Sequence, residues 1–234
     1  MRGVAVRAVA AMLLLASCTD TPSPGTPVTV FAAASLRQAF LAEGQAFEAT
    51  HPGVRVRFSF AGSQVLVAQV KQGAPADVVA TADPQSMSSL GDRVLGQPQV
   101  LAHNRLAILT ATGNPRHIRG LADLPRVRVV LAGPTVPLGK ASALALARAG
   151  VTVRPRSLED SATGVITKLR LGEADAGIGY VTDLAGTGLA GLPLPGTTTT
   201  LMIGALTASP RAGDFVDFVL SAEGRRILLS FGFR

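Results

Sequence analysis

The chain has 234 residues, 47% of them hydrophobic and 16% charged, enough to bury a core as one large domain or two small lobes, which excludes a disordered or fibrous protein. Aromatic residues make up only 4%, with no Trp and one Tyr, so the core is expected to consist of Ala, Val and Leu rather than rings. Lys and Arg outnumber Asp and Glu by 22 to 15, a formal charge of +7, but they are scattered singly among apolar positions; nucleic acid is therefore not the expected partner, and the surplus reads as a solvated surface or a general attraction for anions.

Positions 1–17 read as an export signal. Arg2 and Arg7 supply the positive charge, and Ala8–Ala16 form an apolar run of nine residues, too short to span a bilayer. The run ends in Leu15-Ala16-Ser17-Cys18, which resembles a bacterial lipobox. Cys18 is then the lipidated mature N-terminus and ties the protein to the outer face of the cell membrane; a plain signal peptide with an incidental Cys is the alternative. Since Cys18 is the only Cys, the folded part has no disulfide, no Cys metal site and no Cys nucleophile. Residues 18–27, rich in Thr, Pro, Ser and Gly, form a flexible tether.

Val28–Ala34 is an apolar run suited to a buried strand, and Ser35 opens a helix with Leu36, Phe40 and Phe47 on one face. After the turn His51-Pro52-Gly53, Val54, Val56, Phe58 and Phe60 alternate as a second strand. Ser63 begins a helix carrying Leu66, Val67 and Val70, which stops at Gly73, and Asp77–Ala80 is a third strand. Asp83-Pro84 is an N-cap followed by Pro at the first helical position. Strands follow at Leu106–Thr110, Val127–Ala132, Ala176–Val181 and Thr199–Thr207, with helices at Ala141–Ala149 and Gly164–Leu171. The tail, Asp214–Ser230, is helical, with Phe215, Phe218, Val219, Ile227 and Leu228 facing the core. This alternation gives an α/β fold with mainly parallel sheets flanked by helices.

Ser35 and Ser63 share one arrangement, each ending a hydrophobic strand and beginning a helix. The first N–H groups of a helix lack internal partners and carry the positive end of its dipole, so such a junction seats an oxyanion without a buried Lys or Arg. Either Ser also reads as an ordinary N-cap. Gly133-Pro134-Thr135-Val136-Pro137-Leu138-Gly139 is a rigid loop able to aim amides, or a plain turn, and Asp160-Ser161-Ala162-Thr163 is a further helix start. Tyr180 closes a strand with a phenol that donates at neutral pH, or packs as a core Tyr.

Catalytic templates are not met. No G-x-S-x-G elbow, P-loop or dinucleotide fingerprint is present, and His51, His103 and His117, in turn-like surroundings, have no metal-ligand spacing. Asp77 and Asp83 fit packing and capping roles better than a carboxylate pair. The chain is expected not to be an enzyme and to need no cofactor.

Val30-Phe31-Ala32-Ala33-Ala34-Ser35-Leu36, Phe60-Ala61-Gly62-Ser63, Gly73-Ala74-Pro75-Ala76-Asp77, Gly172-Glu173-Ala174-Asp175-Ala176-Gly177 before Tyr180, and Gly224-Arg225-Arg226-Ile227-Leu228, in this order, resemble the molybdate-binding components of bacterial ABC importers. The resemblance covers nearly the whole mature chain. It implies two α/β lobes of the type II periplasmic-binding-protein kind closing on a ligand in the cleft between them. Residues 27–104 and 200–234 would form the first lobe and 105–199 the second. It further implies that the oxyanion is held by Ser35, Ser63 and Tyr180 and by backbone amides near Leu138 and Ala162, with Ser161 an alternative to Ala162. Molybdate or tungstate is then the ligand, a permease and an ATPase are the partners, and the protein is an exported monomer. Sulfate or another small anion on the same scaffold, and a ligand-sensing lipoprotein without a transport role, are the rival readings. Three departures from the family pattern stand out: Leu138 replaces a usual Ala, Lys140 follows Gly139 where a bulky residue is common, and Gly62 stands where Ser is frequent.

Overall fold

The computed structural model describes residues 27–234. The export signal, Cys18 and nearly all of the tether lie outside the described residues. Eight strands are linked into one sheet: β1 (Val28–Ala33), β2 (Val56–Ala61), β3 (Val78–Thr81), β4 (Leu95–Thr110), β5 (Val129–Ala132), β6 (Ser157–Glu159), β7 (Ala176–Tyr180) and β8 (Ala190–Ala205). Seven α-helices cover it: α1 (Arg37–Thr50), α2 (Ser63–Lys71), α3 (Pro84–Ser88), α4 (Pro137–Arg148), α5 (Ala162–Arg170), α6 (Pro210–Leu220) and α7 (Ala222–Ser230).

The strand order is β2-β1-β3-β8-β4-β7-β5-β6. β1 runs parallel to both β2 and β3, and β5 parallel to both β6 and β7, as expected where each strand is followed by a covering helix. The antiparallel exceptions are β8 against β3 and β4, and β7 against β4. β4 and β8 are the long members, 16 residues each, and belong to both halves of the sheet. The two parallel halves expected from the sequence are therefore joined edge to edge through this pair. Its register breaks where Arg105 faces Thr198 but Ala107 faces Pro193, so β8 bulges outward at the crossing.

The buried residues follow the same division. One core cluster runs from Leu106 to Leu194, and two others combine residues 28–102 with residues 201–233, so α6 and α7 return to the first half. The sequence expectation of a core without rings holds for the second half alone, where Tyr180 is the single aromatic. In the first half Phe40, Phe47 and Phe215 are fully buried, with Phe47 and Phe215 edge to face at 5.3 Å. All nine Phe lie at positions 31–60 or 215–233, and composition alone cannot reveal such a distribution. A second correction concerns His103, which lies in β4 rather than in a turn, its backbone N–H and C=O both bonded to Arg234.

Asp77 and Asp83 do structural work. Asp77 accepts from Thr29 N at 2.8 Å and from Thr207 Oγ1 at 2.9 Å, tying the bottom of β1 to the end of β8. Asp83 caps α3 by accepting from Ser86 N. Among the described residues, no helix is long and apolar enough to cross a membrane, and no cluster of His, Cys, Asp and Glu is placed to hold a metal.

Candidate anion-binding site

Ser35, Ser63, Leu138, Ala162 and Tyr180 come together around one cavity. Ser35 sits in the 3-10 turn Ala34–Leu36 between β1 and α1, and Ser63 is the first residue of α2. Leu138 is the second residue of α4, after Pro137, whose missing N–H costs nothing at that position. Ala162 is the first residue of α5, and Tyr180 the last of β7. Several helix starts thus point at one space, from both halves of the sheet. The space is small: about 10 Å³ is open to the centre of a water-sized atom, on the scale of a single water.

Leu138 lines the cavity, and its side chain, 1% exposed, belongs to the second core. Gly139 explains how α4 starts so close to β5: a Cβ there would overlap the backbone oxygen of Gly133 and come within 2.7 Å of Ala132 O. Ser161 is the N-cap of α5, its Oγ accepting from Gly164 N at 3.2 Å and donating to Asp160 at 3.1 Å. Being so occupied, it does not line the cavity, and Ala162 does.

Two of the side chains carry polar atoms with no partner in the protein. Ser35 Oγ and the Tyr180 hydroxyl are buried and unbonded, an arrangement that costs free energy unless something else fills the space. Ser63 Oγ differs, because it accepts from Ala82 N at 3.0 Å, and its own proton is left to point elsewhere. The first amides of α2, α4 and α5 add further donors. None of the lining residues is charged. Burial, then the negative charges of Asp183 and Asp83, hold the Tyr180 phenol well above its usual range, so it stays a donor.

Asp183 escaped the sequence reading. It is 6% exposed and accepts from Tyr180 N at 2.8 Å, fixing the strand end that presents the phenol. Burial pushes its carboxyl up to about 7, partly opposed by that N–H. Asn104 does similar work at the crossing, donating to Thr182 Oγ1 at 2.8 Å. The halves also touch outside the cavity, through Gln64 Nε2 to Asp160 O at 2.8 Å and Lys140 Nζ to Gln85 Oε1 at 2.9 Å.

Residues 28–234 match the family described as bacterial extracellular solute-binding protein. The molybdate-binding protein ModA of Mycobacterium tuberculosis is 39% identical over 248 aligned positions, covering 98% of this chain and 95% of that protein. Among solved structures, the periplasmic molybdate-binding protein of Azotobacter vinelandii superposes with a TM-score of 0.78 at 16% identity, over 88% of this chain and 98% of that one. The sulfate-binding protein SubI of Mycobacterium tuberculosis superposes with a TM-score of 0.80 at 20% identity, over 89% and 86%. These two likenesses establish the two-lobed periplasmic-binding-protein fold. With a family match across the whole described chain and a relative matched end to end, the chain belongs to the bacterial extracellular solute-binding proteins and, within them, to the ModA family.

Proposed function

We propose that the chain captures molybdate, and tungstate with it, outside the cytoplasm and delivers it to the permease and ATPase of an ABC importer. The observation that carries this reading is the pair of buried, unpartnered donors, Ser35 Oγ and the Tyr180 hydroxyl, in a small uncharged cavity ringed by helix starts. Full-length similarity to ModA supports the choice of anion. It is a binding protein and not an enzyme. We further assign residues 27–104 and 200–234 to the first lobe and 105–199 to the second, with β4 and β8 as the connections. Cys18 is proposed as the lipid-bearing residue of a monomer held at the outer face of the membrane.

Ser35, Ser63, Tyr180 and the amides of Leu138 and Ala162 replace the water shell of the dianion as the lobes close. A hydrogen bond to a charged group contributes about 1.5–3 kcal/mol, so five of them, after the costs of closure, give about −8 to −12 kcal/mol. That corresponds to roughly micromolar to nanomolar affinity. An anion that keeps a proton at neutral pH, such as phosphate, forces one hydroxyl to turn and accept, leaving a donor unused at a cost of about 1–3 kcal/mol. Sulfate carries no such proton and is separated from molybdate by size alone.

The soluble chain lacking residues 1–18, melted with molybdate, tungstate, sulfate and phosphate, tests the reading. A ligand at a hundredfold over its dissociation constant adds about 2.7 kcal/mol, and the melting temperature rises by roughly 5–10 °C. A rise with molybdate and tungstate and a smaller one with phosphate at the same concentration is expected; no rise with any oxyanion overturns the assignment. A rise with sulfate alone replaces molybdate by the rival ligand.

A further inference from the structure

Gly62 lines the cavity at a place where the two halves of the fold come close together. It precedes Ser63 and serves as N-cap of α2 with φ −62° and ψ 141°, a conformation open to any residue. The absence of a side chain is therefore required by space and not by the backbone. A Cβ at this position would overlap the backbone oxygen of Asp160, in the other half, and would come within 2.6 Å of the Gln64 amide. Asp160 lies two residues before Ala162, so the distance of its carbonyl from Gly62 sets how far the α5 amides stand from Ser63. Gln64 Nε2 meets the same carbonyl at 2.8 Å, on the cavity's outer side.

We propose that Gly62 determines how small a tetrahedral dianion the closed cleft still holds from both sides, by letting the Asp160 carbonyl approach. Gln64 holds the closed state but does not set its width. The proposal rests on the oxyanion reading above and deepens it. A side chain at position 62 acts as a wedge between the lobes. The donors of the first lobe, Ser35 and Ser63, and those of the second, Leu138, Ala162 and Tyr180, then stand further apart. A large anion still bridges the two sets, whereas a small one loses contact with one of them.

The experiment is a calorimetric and competition titration of molybdate and sulfate against the wild-type chain, Gly62→Ala, Gln64→Ala and the double variant. Each unliganded variant is expected to stay folded, with Gly62→Ala melting a few degrees lower because the structure already places position 62 against the Asp160 oxygen. Gly62→Ala is expected to weaken sulfate at least tenfold more than molybdate, and the double variant to do the same, since the Asp160 backbone remains in the way. Gln64→Ala is expected to weaken both anions severalfold in equal proportion, leaving their ratio unchanged. Unchanged affinities in Gly62→Ala, an equal loss for both anions, or a ratio altered by Gln64→Ala alone would each overturn the proposal. Failure of the wild-type chain to bind either anion overturns the oxyanion reading itself, whereas normal wild-type binding with an indifferent Gly62→Ala overturns only the role of Gly62.

Discussion

Tyr180→Phe separates a binding role from a structural one, because the two predict opposite changes in the free protein. The Tyr180 hydroxyl is buried without a partner, while the ring belongs to the second core at 2% exposure. Phe keeps the ring packing and deletes only the unpaired group. An unsatisfied buried hydroxyl costs about 1–3 kcal/mol, so the variant without ligand should gain about 1 kcal/mol, or roughly 2–4 °C in melting temperature for a chain of this length. In the complex the same hydroxyl donates to the anion, and its loss costs about 1.5–3 kcal/mol, a rise in Kd of roughly 10- to 150-fold. Calorimetric titration and thermal melting on the same preparation read both quantities. A variant that binds molybdate as tightly as wild type, or that melts several degrees lower without ligand, would refute the reasoning, since the hydroxyl would then be satisfied by the protein.

Ser63→Ala should behave differently from Tyr180→Phe: Ala82 N loses its acceptor, so the free protein is expected to lose about 1–3 kcal/mol in urea unfolding while affinity also falls. Gly139→Ala forces a Cβ onto the Gly133 carbonyl and should cost about 2 kcal/mol or more by the same measurement. Glu43 supplies a pH test. It is fully buried on α1, both oxygens lack partners, and burial, then the charge of Glu223, push its carboxyl from 4.5 up to about 8. The folded state thus holds a proton that the unfolded chain releases, and the stabilisation is complete below pH 4.5 and lost as pH rises through 8. At about 1.4 kcal/mol per unit, the stability of Glu43→Gln relative to wild type should climb by roughly 3–5 kcal/mol between pH 5 and pH 8; a difference that stays flat refutes the buried neutral carboxyl.

Much of the site was legible because its parts are local. A strand that ends in a small polar residue and turns at once into a helix is visible at Ser35 and Ser63, and the amides it exposes follow from helix geometry whatever the side chain. The convergence of those helix starts with Tyr180 was not legible from periodicity; it came from the ordered resemblance to a family, and the structure gathers the same five residues around one cavity. β4 was seen only from Leu106 onward. Its first half, with Gly96, Pro98 and Gln99, lacks alternation because it pairs irregularly with β8 as the chain passes between halves. β6 is three residues long and leaves no periodic trace. Asp183 reads as an ordinary loop acid, since nothing in the sequence reveals that the segment after Tyr180 folds inward. Glu43 does carry a signal in the sequence: it sits three residues after Phe40 and four before Phe47, on the buried face of α1.

The chain contains one Tyr and no Trp, so its intrinsic emission arises from Tyr180 alone, at the cavity wall. Titrating molybdate into the soluble chain while following that emission tests the central claim most directly. A saturable change at one molybdate per chain, reached at a lower concentration than any change with phosphate, is the predicted result. Emission that stays constant up to millimolar molybdate would contradict the assignment of this cavity as the oxyanion site.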